Sequence, residues 1–145
     1  MDYRFPTQGQ PVIRVMIDTN IFISAILFPD GKASAALQKA LVSPYHPVTC
    51  DYVINELRIK FLEKFPNKIS DLNSFLAISR SVIDVITTPK TVTDEEKKIR
   101  DKKDRPILRA ALNAGADLFL TGDKDFLESS IKDPRIISVA EFLDM

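Results

Sequence analysis

At 145 residues the chain is long enough for one domain with a buried core. Its 20 Lys and Arg balance its 20 Asp and Glu, so there is no global basic field of the kind that draws a protein to nucleic acid, and any basic patch has to be local. A single cysteine, Cys50, excludes an internal disulfide and suits a reducing compartment, and no run is apolar for long enough to span a membrane.

The chain begins M-D-Y-R-F-P-T-Q-G-Q-P, without the apolar core of a signal peptide. Residues 1–11 are expected to form a flexible arm and residues 12–145 a single cytoplasmic domain, since no repeat, low-complexity tract or linker divides them. From Val12 an apolar, partly β-branched run stops abruptly at Asp18-Thr19-Asn20. Apolar residues then resume at helical spacing in Ile21, Phe22, Ala25 and Ile26, which reads as strand, polar turn and helix. Pro29-Asp30-Gly31 is a turn, Ser34–Leu41 a helix, and Ser43-Pro44 its stop. His46 reads as a loop residue, Val48-Thr49-Cys50 as a short strand with Cys50 a small buried hydrophobe, and Asp51 as the cap of a helix from Tyr52 to about Phe65.

Pro66-Asn67 breaks that pattern, a helix follows over Ser70–Ser79, and Ser81–Thr88 alternates as a strand. Thr93–Lys103 is dominated by charge and reads as a solvated helix or loop. Asp104-Arg105-Pro106 opens a helix over Ile107–Ala114, with proline in the first turn and Gly115 in the left-handed position past its end. Leu118–Leu120 is a buried strand ending in T-G-D-K-D, after which a short helix starts. Ile136-Ile137 is a last strand, and Ser138 with Glu141 matches a capping box. Strands alternating with helices predict a three-layer α/β/α sandwich around a mostly parallel sheet, whose strand carboxyl ends share one edge.

Four acids fall at that edge. Asp18 and Asp123 follow apolar strands, and Glu56 and Asp104 lie near helix starts, with Asp101 and Asp125 in a second tier. Each has a plainer reading: Asp104 as a helix cap, Glu56 as a solvated surface residue, T-G-D as a turn. Asp18 is the hardest to dismiss, because an acid closing a buried strand is costly without compensation. Clustered carboxylates repel one another, and a hard divalent cation with oxygen ligands, Mg²⁺ above all, relieves that repulsion and can assist attack on a phosphodiester. Neither His46 nor Cys50 has a partner at zinc-ligand or nucleophile spacing, and there is no phosphate-cradling glycine loop and no G-x-S-x-G. Lys102, Lys103, Arg105 and Lys124 flank the acids, as phosphate contacts or as solvated surface charge.

Taken together, Ile17-Asp18-Thr19-Asn20, Asn55-Glu56-Leu57, Lys103-Asp104-Arg105-Pro106-Ile107-Leu108 and Thr121-Gly122-Asp123-Lys124-Asp125-Phe126 resemble the motifs of PIN-domain ribonucleases, and the branch described as toxin components of toxin–antitoxin pairs most of all. The resemblance runs from about Arg14 to Phe142. It implies Mg²⁺- or Mn²⁺-dependent cleavage of single-stranded RNA by residues 12–145. Asp18, Glu56, Asp104 and Asp123 would be the catalytic and metal-binding acids, Asp125 an accessory ligand, and Asn20 and Thr121 orienting groups. A homodimer and an antitoxin partner are implied with it. One departure is visible: Cys50 stands where the family often has a helix-starting serine. Other readings are a haloacid-dehalogenase-type phosphatase, disfavoured because Asn20 replaces the second aspartate that such a site needs, and a module that grips RNA or a partner without cutting. A receiver domain would need an acidic pair after the first strand, and none is there.

Overall fold

The computed structural model describes residues 11–145, so the expected arm, apart from Pro11, lies outside the described residues. Five strands form one parallel sheet: β1 Ile13–Ile17, β2 Tyr45–Cys50, β3 Asp84–Ile86, β4 Leu118–Leu120 and β5 Arg135–Ile137, in the order β3-β2-β1-β4-β5. Helices α1 Thr19–Leu27, α2 Lys32–Ala40, α3 Asp51–Lys64, α4 Ile69–Ser79, α5 Arg105–Asn113, α6 Lys124–Leu127 and α7 Val139–Leu143 flank it, which gives the expected α/β/α architecture. Strand β1 is central because it is apolar throughout its second half. Val15, Met16 and Ile17 are fully buried, with Val48 on one side and Phe119 and Leu120 on the other.

The order of the strands places the site. The chain runs outward from β1 through β2 to β3, then crosses back to put β4 against the other side of β1. In a parallel sheet this reversal opens a crevice at the strand carboxyl ends, because the connections on either side leave in opposite directions. Asp18 directly follows β1 and Asp123 closely follows β4, so both fall in the crevice.

Most expected elements are present, with ends shifted by one or two residues, the usual fraying uncertainty of helix termini. The expected strand over Ser81–Thr88 pairs only at Asp84–Ile86, since it is an edge strand held by β2 alone. His46 is not in a loop: it lies within β2, opposite Arg14 of β1. Asp51 is the first residue of α3 rather than its cap. Cys50 occupies the cap position without a side-chain hydrogen bond, while the Asp51 carboxylate accepts from Tyr52 N, Thr88 N and Thr88 Oγ1. Ser138 and Glu141 form the expected capping box, and Gly115 adopts φ +66°.

The charged run 93–103 is only partly solvated. Glu96 and Ile99 are buried, and the Glu96 carboxylate accepts two bonds from Arg109 of α5, at 2.9 and 2.7 Å, as well as Thr93 N and Oγ1. Arg109 lowers the Glu96 carboxyl from 4.5 to about 2. This pair clamps the loop to α5 just ahead of the turn that carries Asp101 and Asp104. Arg109→Ala strands a buried carboxylate, and we expect it to cost about 3 kcal/mol, read as an earlier urea midpoint. Because the Glu96 pKa is depressed, the stabilisation is full at neutral pH and is lost only as the pH falls from about 4.5 towards 2. An unchanged midpoint at pH 7 would show that the loop is held by its apolar contacts alone.

Candidate active site

Asp18 is the most constrained acid. It is 3% exposed, its Oδ1 accepts from Thr19 N at 2.8 Å to cap α1, and its Oδ2 accepts from Thr121 Oγ1 at 2.6 Å. Thr121, buried at the end of β4, accepts in turn from Asp123 N at 3.0 Å, so one hydroxyl links the two strand ends. Asp123 caps α6 through Asp125 N at 2.9 Å. On the other side of Asp18, Thr19 Oγ1 donates to Glu56 of α3. Two threonines thus tie Asp18 to Glu56 and set it against the Asp123 backbone. Asn20 is exposed on the same rim.

Asp104 ends a short 3₁₀ turn, Lys102–Asp104, and caps nothing: it makes no side-chain bond to the start of α5. Asp101 caps the 3₁₀ turn itself, its carboxylate accepting from Lys103 N at 3.0 Å, and α5 has no side-chain cap. The Asp104 carboxyl therefore faces the other acids. Burial, then Asp123, Asp18 and Asp101, push it up to about 7. Burial pushes Asp18 up to about 6 against the opposing pull of its Thr121 and Thr19 bonds, with Glu56 and Asp123 adding to the rise. Two carboxyls titrating near neutrality in one place are the signature of anions held together by the fold at a cost.

Asp18, Glu56, Asp101, Asp104 and Asp123 line one cleft of about 560 Å³. Asp125 stands beside it: carboxylate oxygens of Asp101, Asp104 and Asp125 lie within 4.8 Å of one another, and Asp125 also accepts from Arg100 at 2.9 to 3.0 Å. The donors are all hard oxygens, which fits Mg²⁺ or Mn²⁺ and no soft metal.

Of the four basic residues expected to flank the acids, Lys103 lines the cleft. The Arg105 guanidinium is committed to the Ile99 carbonyl at 2.9 Å. Lys102 and Lys124 are exposed and are not part of the cleft wall. Sequence reasoning did not single out Tyr52, Lys60 and Glu63 as wall residues, and quoted Asn55 only within the Glu56 motif; together with Glu56 they form a stripe along α3 at spacings of three and four. That stripe, counted from Glu56, was the available signal. Tyr52 is the most informative of them, since its hydroxyl donates to the Lys103 carbonyl at 2.5 Å and so holds the Asp104 turn against α3. Burial, with Glu56, Asp104 and Asp101 nearby, raises the Tyr52 pKa and keeps that proton in place.

A parallel α/β/α sheet with a cluster of carboxylates in a cleft at its topological switch is the setting in which α/β proteins place their functional sites. The PIN-domain profile matches residues 14–125, and the chain belongs to that family, whose members are nucleases. It is 31% identical over 118 residues to an uncharacterized protein of Methanocaldococcus jannaschii, covering 79% of this chain and 74% of that one. The fold is also that of VapBC2 from Rickettsia felis bound to a DNA fragment from their promoter, with TM-score 0.66, 18% identity, and 87% and 98% of the two chains covered. A toxin–antitoxin complex from Klebsiella pneumoniae is similar, with TM-score 0.59, 18% identity, and 86% and 97% covered.

Proposed function

We propose that this chain is a divalent-cation-dependent endoribonuclease that cuts single-stranded RNA, and that it serves in the cytoplasm as the toxin of a toxin–antitoxin pair. The observation that carries the reading is the convergence of Asp18, Glu56, Asp104 and Asp123 on one cleft, with Asp18 and Asp104 raised towards neutrality. Those four would hold Mg²⁺ or Mn²⁺, with Asp125 as an accessory ligand. When bound, the cation supplies charge neutralisation for a phosphoryl oxygen and makes water a better nucleophile. The chain's own residues do the positioning. Thr121 and the α1 amide fix the two Asp18 oxygens, Thr19 fixes Glu56, and Tyr52 holds the Asp104 turn closed. Lys60 and Lys103 on the cleft wall are placed to neutralise phosphates flanking the bond that is cut.

The toxin role rests on family membership and on the likeness of fold to toxin–antitoxin complexes. An antitoxin that blocks this cleft needs a cationic group for the carboxylates, and an Arg fork matches two carboxylate oxygens. A homodimer belongs to the same reading.

The test is to incubate the purified chain with single-stranded RNA, duplex RNA and single-stranded DNA in the presence of Mn²⁺, and to express it in a host cell beside Asp18→Ala at matched level. We expect cleavage confined to single-stranded RNA and growth arrest by the unsubstituted chain alone. Equal arrest by both proteins would refute the toxin role, and RNA that is bound but never cut would favour a non-cleaving module.

A further inference from the structure

A second groove, of about 410 Å³, lies on the other flank of α3, between that helix, α4 and the edge strand β3. Its apolar wall is Ile54, Leu76 and Val85, and Arg58 and Arg80 stand on it. Helix α3 serves both spaces. Asp51, Ile54, Asn55 and Arg58, at spacings of three and four, face the groove, while Tyr52, Asn55, Glu56 and Lys60 face the acidic cleft. Asn55 is common to the two, so the groove continues the cleft across a single exposed side chain.

The charges differ in a useful way. Both guanidiniums are on exposed residues, and neither has a hydrogen-bond or ion-pair partner among the described residues. The one acid in the groove, Asp51, is already engaged by Tyr52 N, Thr88 N and Thr88 Oγ1. The acidic cleft, by contrast, repels a polyanion everywhere except at its two lysines. A chain of phosphates leaving that cleft therefore meets favourable charge at Arg58 and Arg80, and an apolar wall against which an unpaired base can lie.

We propose that this groove is a substrate subsite, which seats one unpaired nucleotide of the RNA beyond the scissile bond, its phosphate between Arg58 and Arg80 and its base against Ile54 and Val85. The inference rests on the ribonuclease reading for the identity of the ligand, but binding tests it apart from cleavage. The experiment measures binding of a fluorescent single-stranded RNA oligonucleotide to the Asp18→Asn chain, with and without Arg58→Gln and Arg80→Gln, over a range of salt. The two arginine substitutions together should weaken binding about tenfold, and flatten the log–log salt dependence by about 0.7 for each phosphate that is no longer neutralised. In the cleaving chain the same pair should raise KM and leave kcat within about twofold. Unchanged affinity and an unchanged salt slope would overturn the subsite. So would a drop in affinity matched by a change in oligomeric state on light scattering, which would assign the groove to a second copy of the chain. If the unsubstituted chain cleaves nothing while the Asp18→Asn chain still shows the arginine-dependent affinity, the nuclease reading falls and the subsite stands.

Discussion

Asp18→Asn should reduce RNA cleavage by at least about a thousandfold, equivalent to about 4 kcal/mol of transition-state stabilisation, while making the metal-free protein more stable. The two effects have one origin. Asp18 is buried with other anions nearby, and its pKa is raised from 3.8 to about 6. Above that pH the ionised carboxylate weakens the metal-free fold, by about 3 kcal/mol at most at 1.36 kcal/mol per pH unit. Asparagine keeps the cap on Thr19 N, and its amide can donate to Thr121 Oγ1 in place of the bond Thr121 now donates to Asp18, so the contacts are kept while the charge goes. The thermal midpoint at pH 7.5 without metal should therefore rise by several degrees. The sign of the pH dependence follows. A raised acid contributes stability that is full below its unfolded pKa and is lost as the pH climbs through the folded value. The metal-free chain should thus melt progressively earlier between about pH 4 and 7, the Asp18 loss levelling off near 6 and the Asp104 loss near 7, and the Asp18→Asn chain should show a shallower trend. Retained cleavage in Asp18→Asn would place the chemistry elsewhere, and an unchanged midpoint would mean that the cost of burying Asp18 is met by its neighbours.

Removal of divalent cations should abolish cleavage altogether, and Mn²⁺ or Mg²⁺ should restore it, whereas Zn²⁺ finds no nitrogen or sulfur donor among the cleft acids. The same cations should stabilise the fold, by about 2.7 kcal/mol at a hundredfold excess over Kd, since the unfolded chain does not gather the acids. Protons and cation compete for the same oxygens, so activity should climb with pH through the range 6 to 7, where Asp18 and Asp104 ionise. Acid then stabilises the empty protein and switches off the loaded one. Calorimetric titration of the Asp18→Asn chain should show Mn²⁺ binding weakened or abolished. Undiminished cleavage after exhaustive chelation would refute a metal-dependent mechanism.

The parts of the site legible in the sequence were those where a single residue interrupts a strong pattern. Asp18 ends a buried strand, Asp123 follows one, and Asp104 precedes a proline-opened helix, so each is marked by its neighbours. Glu56 was marked only by its place near a helix start. The residues beside it on α3 were legible only by counting three and four along the helix from Glu56, because hydrophobic periodicity identifies the face of a helix that is buried and is silent on which polar stripe meets a cleft. Asp51 and Asp104 show the limit of capping rules: the sequence places an acid near each helix start, yet the carboxylate of Asp51 reaches Thr88 and that of Asp104 caps nothing. Glu96 was hidden for a related reason. Its counter-ion Arg109 is thirteen residues away on the next helix, so the local run looks uniformly solvated while one of its acids is sealed in the interior.

The central pairing of the sheet joins residues 15–17 to residues 118–120. Synthesis proceeds from the amino end, and parallel pairings between distant segments can form only when both exist. While the ribosome is still reading out the middle of the message, the nascent chain has Asp18 and Glu56 but neither β4 nor the carboxylate of Asp123 to set beside them. A nuclease built to this topology therefore stays blunt until its fourth strand has emerged and closed on the first.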